Sequence, residues 1–120
     1  MRIPALILLS PAIFLLCSIS ARAQRVSTTT GNDLLESCES TGHFEQAFCF
    51  GYITGVTDTD AMDGAAFPDR RRSCVAENVS NGQVKDVVVK YLRDHPEERH
   101  LLAAILIVKA MSQAFPCKAK

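Results

Sequence analysis

The stretch that decides the fold is SNGQVKDVVVKYL, residues 80–92. Ser80 and Gln83 have the spacing of a capping box, in which each side chain bonds to the other residue's backbone N–H at a helix start. Apolar residues then recur three and four positions apart, and charged residues occupy the other face. Because the residue before a proline is pushed out of the α region, the helix ends before Pro96. The pattern predicts an amphipathic helix over residues 81–94.

The segment that follows is predicted to form a second, more apolar helix over residues 96–115. Pro96 occupies the favoured first position of a helix, and Glu97 and Glu98 suit the positive end of its dipole. The run LLAAILIV, residues 101–108, has no polar face, so such a helix must be covered on more than one side. Either this helix is central to the domain, or a second copy of the chain covers part of it.

Two more helices are predicted upstream, over residues 33–38 and 44–62. Asn32 can cap the first, and apolar residues from Phe44 to Val56 recur at helical spacing in the second. Gly51 and Gly55 lie on one face of that helix. Each glycine costs about 1 kcal/mol relative to alanine, so we expect a neighbouring backbone to approach closely there. No strand-like alternation appears, and the fold class is an all-α domain of four antiparallel helices.

The first 23 residues have the pattern of a cleavable export signal. Arg2 precedes an apolar stretch over residues 3–16, and Ala21 and Ala23 place small side chains at the cleavage site. An apolar stretch of about 14 residues is shorter than the ~20 residues of a membrane-spanning helix, which favours cleavage over a retained anchor. We therefore expect a signal peptide at 1–23, a flexible lead at 24–31 and a helical domain at 32–117.

Charge and cysteine counts change once the signal is removed. The chain has 120 residues, 13 basic and 13 acidic side chains and five cysteines. Residues 1–23 include Arg2, Arg22 and Cys17. The chain that remains after their removal has 97 residues, with 11 basic and 13 acidic side chains. A chain with no basic excess is not expected to bind nucleic acid. Four cysteines in a small exported domain indicate two disulfides. No two of them have the Cys-x-x-Cys spacing of a zinc or redox motif. These cysteines are Cys38, Cys49, Cys74 and Cys117.

Antiparallel helix packing favours one pairing of these cysteines. The end of the first helix lies near the start of the second, and the end of the fourth near the start of the third. We therefore expect Cys38–Cys49 and Cys74–Cys117, out of the three connectivities that four cysteines allow. Each bridge would stabilise the fold by about 2–4 kcal/mol.

Patterns for metal binding and catalysis are weak. His95 and His100 lie five residues apart rather than the four of a zinc helix. Asp58, Asp60 and Asp63 do not match the register of a calcium loop, and we expect these carboxylates to solvate a helix end. With all four cysteines in bridges, no thiol remains for a Cys–His pair. We predict no catalytic residues, no metal and no cofactor.

The longest loop, residues 63–79, contains three consecutive arginines, Arg70, Arg71 and Arg72. One interpretation is a solvated loop. The other is a contact patch for an acidic partner or for anionic envelope polymers. Both interpretations remain open at the level of sequence.

Five strings together resemble the Rap/Tai family of immunity proteins. They are NDLLESC at 32–38, FCFGYITGV at 48–56, the pattern QVxxVVxxYL at 83–92, HPEERH at 95–100 and AFPC at 114–117. The motif residues within them are Gly51, Tyr52, Gly55, His95, Pro96 and His100. The resemblance extends over nearly the whole chain that remains after signal cleavage.

The resemblance implies a periplasmic, helical homodimer with no catalytic role and no membrane anchor after cleavage. Such a protein neutralises a peptidoglycan amidase delivered by type VI secretion, by covering the amidase's active-site groove. The three arginines before Cys74 and the segment 75–79 depart from the family pattern, which leaves the identity of the amidase open. The alternative is a small helical cell-envelope or stress protein without a toxin partner, since size, export and disulfides fit that role equally well.

Overall fold

The computed structural model describes residues 27–118. Within this range it contains no β-strand, and the only β-type pairing is an isolated bridge between Thr30 and Leu102. Short 3-10 turns follow the second and third helices, at Pro68–Arg70 and Pro96–Glu98. The predicted all-α fold is confirmed, with four helices: α1 Gly31–Glu39, α2 His43–Ala66, α3 Asn81–Asp94 and α4 Ala103–Ala114. The signal peptide predicted at 1–23 lies outside the described residues.

Capping boxes start two of the helices. In α3, the Gln83 backbone N–H donates to Ser80 Oγ at 3.3 Å, and the Ser80 N–H donates to Gln83 Oε1 at 2.8 Å, as predicted. In α1 the cap is Thr30 rather than Asn32, because the Asp33 backbone N–H donates to Thr30 Oγ1 at 3.3 Å. The Asp33 carboxylate in turn accepts from the Thr30 N–H at 2.8 Å and from the Thr30 hydroxyl at 2.7 Å. These two hydrogen bonds from Thr30 also lower the pKa of the Asp33 carboxyl group. Helix α1 therefore begins at Gly31, two residues earlier than expected.

The last helix begins at Ala103 rather than at Pro96, because residues 99–102 bond to the start of α1. The backbone N–H groups of Gly31 and Asn32 donate to the carbonyls of Leu101 and Arg99, both at 3.0 Å. A carbonyl used in this way is not available to a helix. The side chain of Arg99 also turns back and donates to the Leu92 carbonyl at 2.6 Å, which satisfies a free group at the end of α3.

One hydrophobic core lies between the four helices. Helix α4 packs against α1, α2 and α3, which explains most of its apolar run. Ile105 is nevertheless 54% exposed, so one side of this central helix remains uncovered. The largest fully buried side chains come from all four helices: Leu34, Cys49, Ile53, Val88, Leu92, Leu106, Ile107 and Met111.

Both predicted disulfides are confirmed. Cys38–Cys49 joins the end of α1 to α2 with a Cα–Cα distance of 5.0 Å, and both residues are buried. Cys74–Cys117 joins the loop after α2 to the C-terminal end, with a Cα–Cα distance of 4.9 Å. The Cys74 N–H also donates to the Phe115 carbonyl at 2.9 Å. The two bridges therefore hold α2 and the loop that follows it at both ends.

Two expectations for α2 are wrong. A Cβ atom added at Gly51 or Gly55 would meet nothing within 4 Å among the described residues, so no backbone approaches these glycines within the chain. Phe44, one of the apolar residues at helical spacing, is 79% exposed. The buried positions of α2 are Cys49, Ile53, Asp60 and Gly64, on the opposite side of the helix. Helix α2 also continues four residues beyond its predicted end, to Ala66.

Candidate functional site

The loop that carries the arginines is fastened to α2 by Asp60. This carboxylate is only 8% exposed, and it accepts hydrogen bonds from Arg72 Nη1 at 3.0 Å and Ser73 Oγ at 3.1 Å. Asp63 lies 3.8 Å from the other Arg72 nitrogen. These acids were expected to solvate a helix end, and that expectation is wrong for Asp60. A buried carboxylate needs a charged or hydrogen-bonding partner, and the loop supplies two.

The three arginines therefore have different roles. Arg72 is used inside the chain, as the partner of Asp60. The Arg70 guanidinium lies 4.6 Å from the ring centroid of Phe67, and the Arg71 stem packs against Gly64, where an added Cβ would meet Arg71 Cβ at 3.1 Å. Both Arg70 and Arg71 are exposed, and neither makes an ion pair with a described residue. Two of the three predicted contact residues are thus available to a partner.

A groove of about 980 Å³ lies beside this loop, between α2 and α4. Arg70 and Arg72 are among the residues that line it. One wall comes from α2 and the other from α4, and together they mix small, apolar and charged side chains: Gly55, Val56, Thr59, Asp60 and Asp63 from α2, and Ala104, Ile105, Val108, Lys109 and Ser112 from α4. The lining thus combines apolar side chains such as Val56 and Ile105 with the charged Arg70, Arg72 and Lys109.

A polar network supports the α4 wall of the groove. Glu98 accepts hydrogen bonds from Lys109 Nζ at 2.5 Å and from the Tyr91 hydroxyl at 2.7 Å. The Lys109 hydrogen bond, followed by that of Tyr91, lowers the pKa of Glu98, and the same contact with Glu98 raises the pKa of Lys109. Burial, together with the bond to Glu98, raises the pKa of Tyr91. The network ties α3 to α4 through the turn between them.

The histidines predicted as motif residues do not form a metal site. His95 stacks on Tyr91 with ring centroids 4.1 Å apart, and its Nδ1 lies 2.9 Å from the Tyr91 carbonyl. His100 and Pro96 are exposed in the turn before α4. Among residues 27–118, no group of three or more His, Cys, Asp or Glu side chains is placed to hold a metal ion.

The glycine motif lies on the surface of α2, next to the groove. Gly55 forms part of the groove wall, and Gly51 lies one turn earlier on the same face. Tyr52 is half-buried, with its ring 5.6 Å from that of Phe48 and its hydroxyl 3.1 Å from Ser27 Oγ. Neither the groove nor the uncovered face of α2 was predicted from the sequence. The spacing of Phe44, Phe48, Gly51 and Gly55 was a signal for that face, but it fits a buried face equally well.

A comparison with known protein families assigns the chain to one of them. The sequence model described as Rap1a immunity proteins matches residues 30–117, from the cap of α1 to the last cysteine. The chain belongs to the Rap1a immunity protein family. No match was found among curated proteins or among solved structures.

Membership of the Rap1a family indicates an immunity function, directed against a secreted effector protein. Immunity proteins of this family are generally non-catalytic. The two disulfides and the family together fit a protein that works outside the cytoplasm. None of the helices that the structure describes is long and apolar enough to cross a membrane.

Proposed function

We propose that this Rap1a-family protein is a periplasmic immunity protein that binds a secreted peptidoglycan amidase and closes its active-site cleft. The family match over residues 30–117 carries the proposal. The choice of an amidase delivered by type VI secretion rests on the strings shared with the Rap/Tai family, among them FCFGYITGV and HPEERH. The protein acts by steric exclusion of the substrate and performs no chemistry of its own.

The geometry supports inhibition by a preformed surface. The Cys74–Cys117 disulfide and the Asp60–Arg72 contact hold the loop after α2, so it loses little conformational freedom when it binds. Arg70 lines the groove and Arg71 is exposed next to it in the loop, so both can pair with acidic side chains around the cleft of a partner. A standard interface buries about 1,600 Å², which is enough to cover a cleft that must admit a bulky polymer.

Export and assembly belong to the same proposal. Residues 1–23 direct the chain to the periplasm and are removed after Ala23, and the four remaining cysteines pair there, because disulfides persist in oxidising compartments. The mature protein acts as a homodimer. The exposed apolar side chains on α2 and α4, which include Phe44, Met62 and Ile105, support this assembly.

Co-production in the periplasm tests the immunity function. A secreted amidase encoded beside the gene for this chain is expressed with and without the chain, and lysis is followed by culture turbidity. We expect lysis only when the chain is absent. Equal lysis in both cultures would contradict the proposal and favour a role in the envelope without a toxin partner.

A charge-reversal pair tests the role of the arginines separately. Arg70→Glu combined with Arg71→Glu should slow binding to the amidase and abolish protection, since both guanidinium groups are exposed. Lys90→Glu combined with Lys118→Glu makes the same change of charge at exposed positions outside the groove and should leave protection intact. Full protection by the arginine variant would exclude Arg70 and Arg71 as contacts without affecting the immunity function.

A further inference from the structure

Basic side chains are unevenly distributed along the chain. No lysine or arginine occurs between Arg25 and Arg70. Those between Arg72 and Cys117 lie in α3, in α4 or in the turn that is bonded to α1: Lys85, Lys90, Arg93, Arg99 and Lys109. The three arginines after α2 differ from these in lying at the start of a long loop.

The backbone of this loop is open to a protein that binds extended chain. Residues 71–76 belong to no helix or turn, and all of them except Ser73 are exposed. The 3-10 turn before them is held by the backbone N–H groups of Arg70 and Arg71, which donate at 2.8 and 3.3 Å. Endoproteases cleave folded proteins in exposed loops of this kind, because a small local opening lets the chain enter the active site.

The side chains of the three arginines favour one peptide bond within this loop. The guanidinium of Arg72 bonds to Asp60, so it cannot enter the acidic pocket of a protease while the loop is fastened to α2. Arg70 and Arg71 are exposed and make no ion pair with a described residue. The accessible pair of arginines therefore ends at Arg71, and the bond that follows this pair joins Arg71 to Arg72.

Neither disulfide of the described chain spans that bond. Cys38–Cys49 lies entirely before it, and Cys74–Cys117 lies entirely after it. A cut there separates α1 and α2 from α3 and α4, and each pair of helices keeps its own bridge. The two pieces would then be held together only by packing in the shared core, where α4 contacts both α1 and α2.

We infer that the Arg71–Arg72 bond is a cleavage site for an endoprotease with acidic pockets for two consecutive basic residues. Arg71 occupies the pocket next to the bond that is cut, and Arg70 occupies the preceding pocket. Water adds its hydroxyl group to the Arg71 carbonyl carbon and its other proton to the Arg72 nitrogen, and the peptide bond breaks. After ionisation, one piece ends in the Arg71 carboxylate and the other begins with the Arg72 ammonium group.

Two single variants distinguish the two overlapping arginine pairs. The oxidised chain from residue 24 onward is treated with kexin, an endoprotease that cleaves after paired basic residues, and the cut is located by mass spectrometry. Arg70→Gln leaves the pair at 71–72, and Arg72→Gln leaves the pair at 70–71. Each variant thus retains one pair, so only the tertiary structure predicts a difference between them. Arg71→Gln breaks both pairs and is the uncleaved control.

The contact with Asp60 makes the expected rates unequal. We expect the wild type to be cut after Arg71. Arg70→Gln should slow cleavage by about 10-fold or more, because the remaining pair ends in Arg72, which must first leave Asp60. Arg72→Gln should be cut at least as fast as the wild type, since the loop loses this contact. Equal rates for the two variants, or a first cut of the wild type after Arg72, would overturn the inference.

Trypsin tests the access to the loop and the separation of the pieces, because its acidic pocket accepts any lysine or arginine that can reach it. At low trypsin concentration we expect the same first cut, ahead of any cut after Lys90 or Arg93, which are exposed but helical. On a denaturing gel without reductant, the product should separate into residues 24–71 and 72–120. A first cut within α3, or a product that separates only after reduction, would contradict the inference. No effector takes part in these experiments, so their failure would not bear on the proposed immunity function.

Discussion

Arg72 differs from its two neighbours because it is the arginine that neutralises a buried carboxylate. Its guanidinium pairs with Asp60 at 3.0 Å, whereas Arg70 contacts the exposed ring of Phe67. A run of three identical residues thus contains one structural residue and two that are free to contact a partner. The distinction depends on which α2 side chain lies beneath each arginine, and the run itself carries no information on that point.

Replacing Arg72 should therefore cost more stability than replacing Arg70. We expect Arg72→Ala to lower the free energy of unfolding by about 1–3 kcal/mol, because Asp60 loses a hydrogen-bonded counter-ion while remaining buried. Arg70→Ala should cost less than about 1 kcal/mol, as expected for an exposed cation–π contact. Urea denaturation with the disulfides intact measures both. Equal losses would mean that Asp60 is satisfied by Ser73 and water.

Gly31 is the glycine whose missing side chain the fold requires. A Cβ at this position would lie 2.5 Å from Leu106 Cδ1 and 3.0 Å from the backbone of Arg99. We expect Gly31→Ala to destabilise the protein by about 1–3 kcal/mol, since the Arg99 backbone cannot move without breaking its bonds to α1. At Gly82 on α3 an added Cβ would make only an ordinary contact with Ser80 Oγ at 3.7 Å, so Gly82→Ala should instead be neutral or stabilising by up to about 1 kcal/mol. Thermal unfolding of the two variants provides the comparison.

At the scale of secondary structure, the contact of α3 with α4 depends on a charged group in the turn between them. Glu98 receives hydrogen bonds from Tyr91 at the end of α3 and from Lys109 in the middle of α4. Its pKa in the folded protein lies below the ordinary value of 4.5. The contribution of Glu98 is therefore present above that value and is lost as the pH falls through the lowered pKa.

This contact should affect how the free energy of unfolding depends on pH in the acidic range. We expect the free energy of unfolding to fall as the pH drops below about 4.5, and Glu98→Gln to reduce the slope. Glu97→Gln, an exposed neighbour in the same turn, should leave the slope unchanged. Denaturation measured across an acidic pH series checks both variants. An identical slope for Glu98→Gln and the wild type would contradict the assignment.

At the scale of the whole molecule, the two disulfides differ in their solvent exposure and in the length of the chain segment that each one closes. Cys38–Cys49 is buried and closes a separation of 11 residues. Cys74–Cys117 includes an exposed cysteine, Cys74, and closes a separation of 43 residues. In the chain-entropy treatment the two bridges contribute about 3 and about 4 kcal/mol. The exposed bridge is also the one that holds the basic loop.

Mild reduction should therefore open Cys74–Cys117 first. We expect a thiol reductant to release Cys74 and Cys117 well before Cys38 and Cys49, because thiolate attack requires access to the sulfur. Alkylation at intervals followed by peptide mass spectrometry gives the order. Simultaneous release would show that global unfolding, rather than access, controls reduction.

The sequence determined the helices, the two disulfide pairs and the family, because these depend on local patterns. Capping spacing, proline positions and apolar periodicity act within a few residues, and the order of short-linked helices limits which cysteines meet. Local patterns also misplaced the start of α4, since the carbonyls of Arg99 and Leu101 are taken by α1, a partner distant in sequence.

Tertiary structure alone decided which groups are buried and which remain free for a partner. The apolar spacing of α2 is compatible with a core-facing or an outward-facing stripe, and packing placed Ile53 inside and Phe44 outside. In the same way, the packing of the loop on α2 buried Asp60 under Arg72 and left Arg70 and Arg71 exposed beside the groove. Burial is a property of all the elements packed around a residue, and so a pattern within one helix cannot specify it.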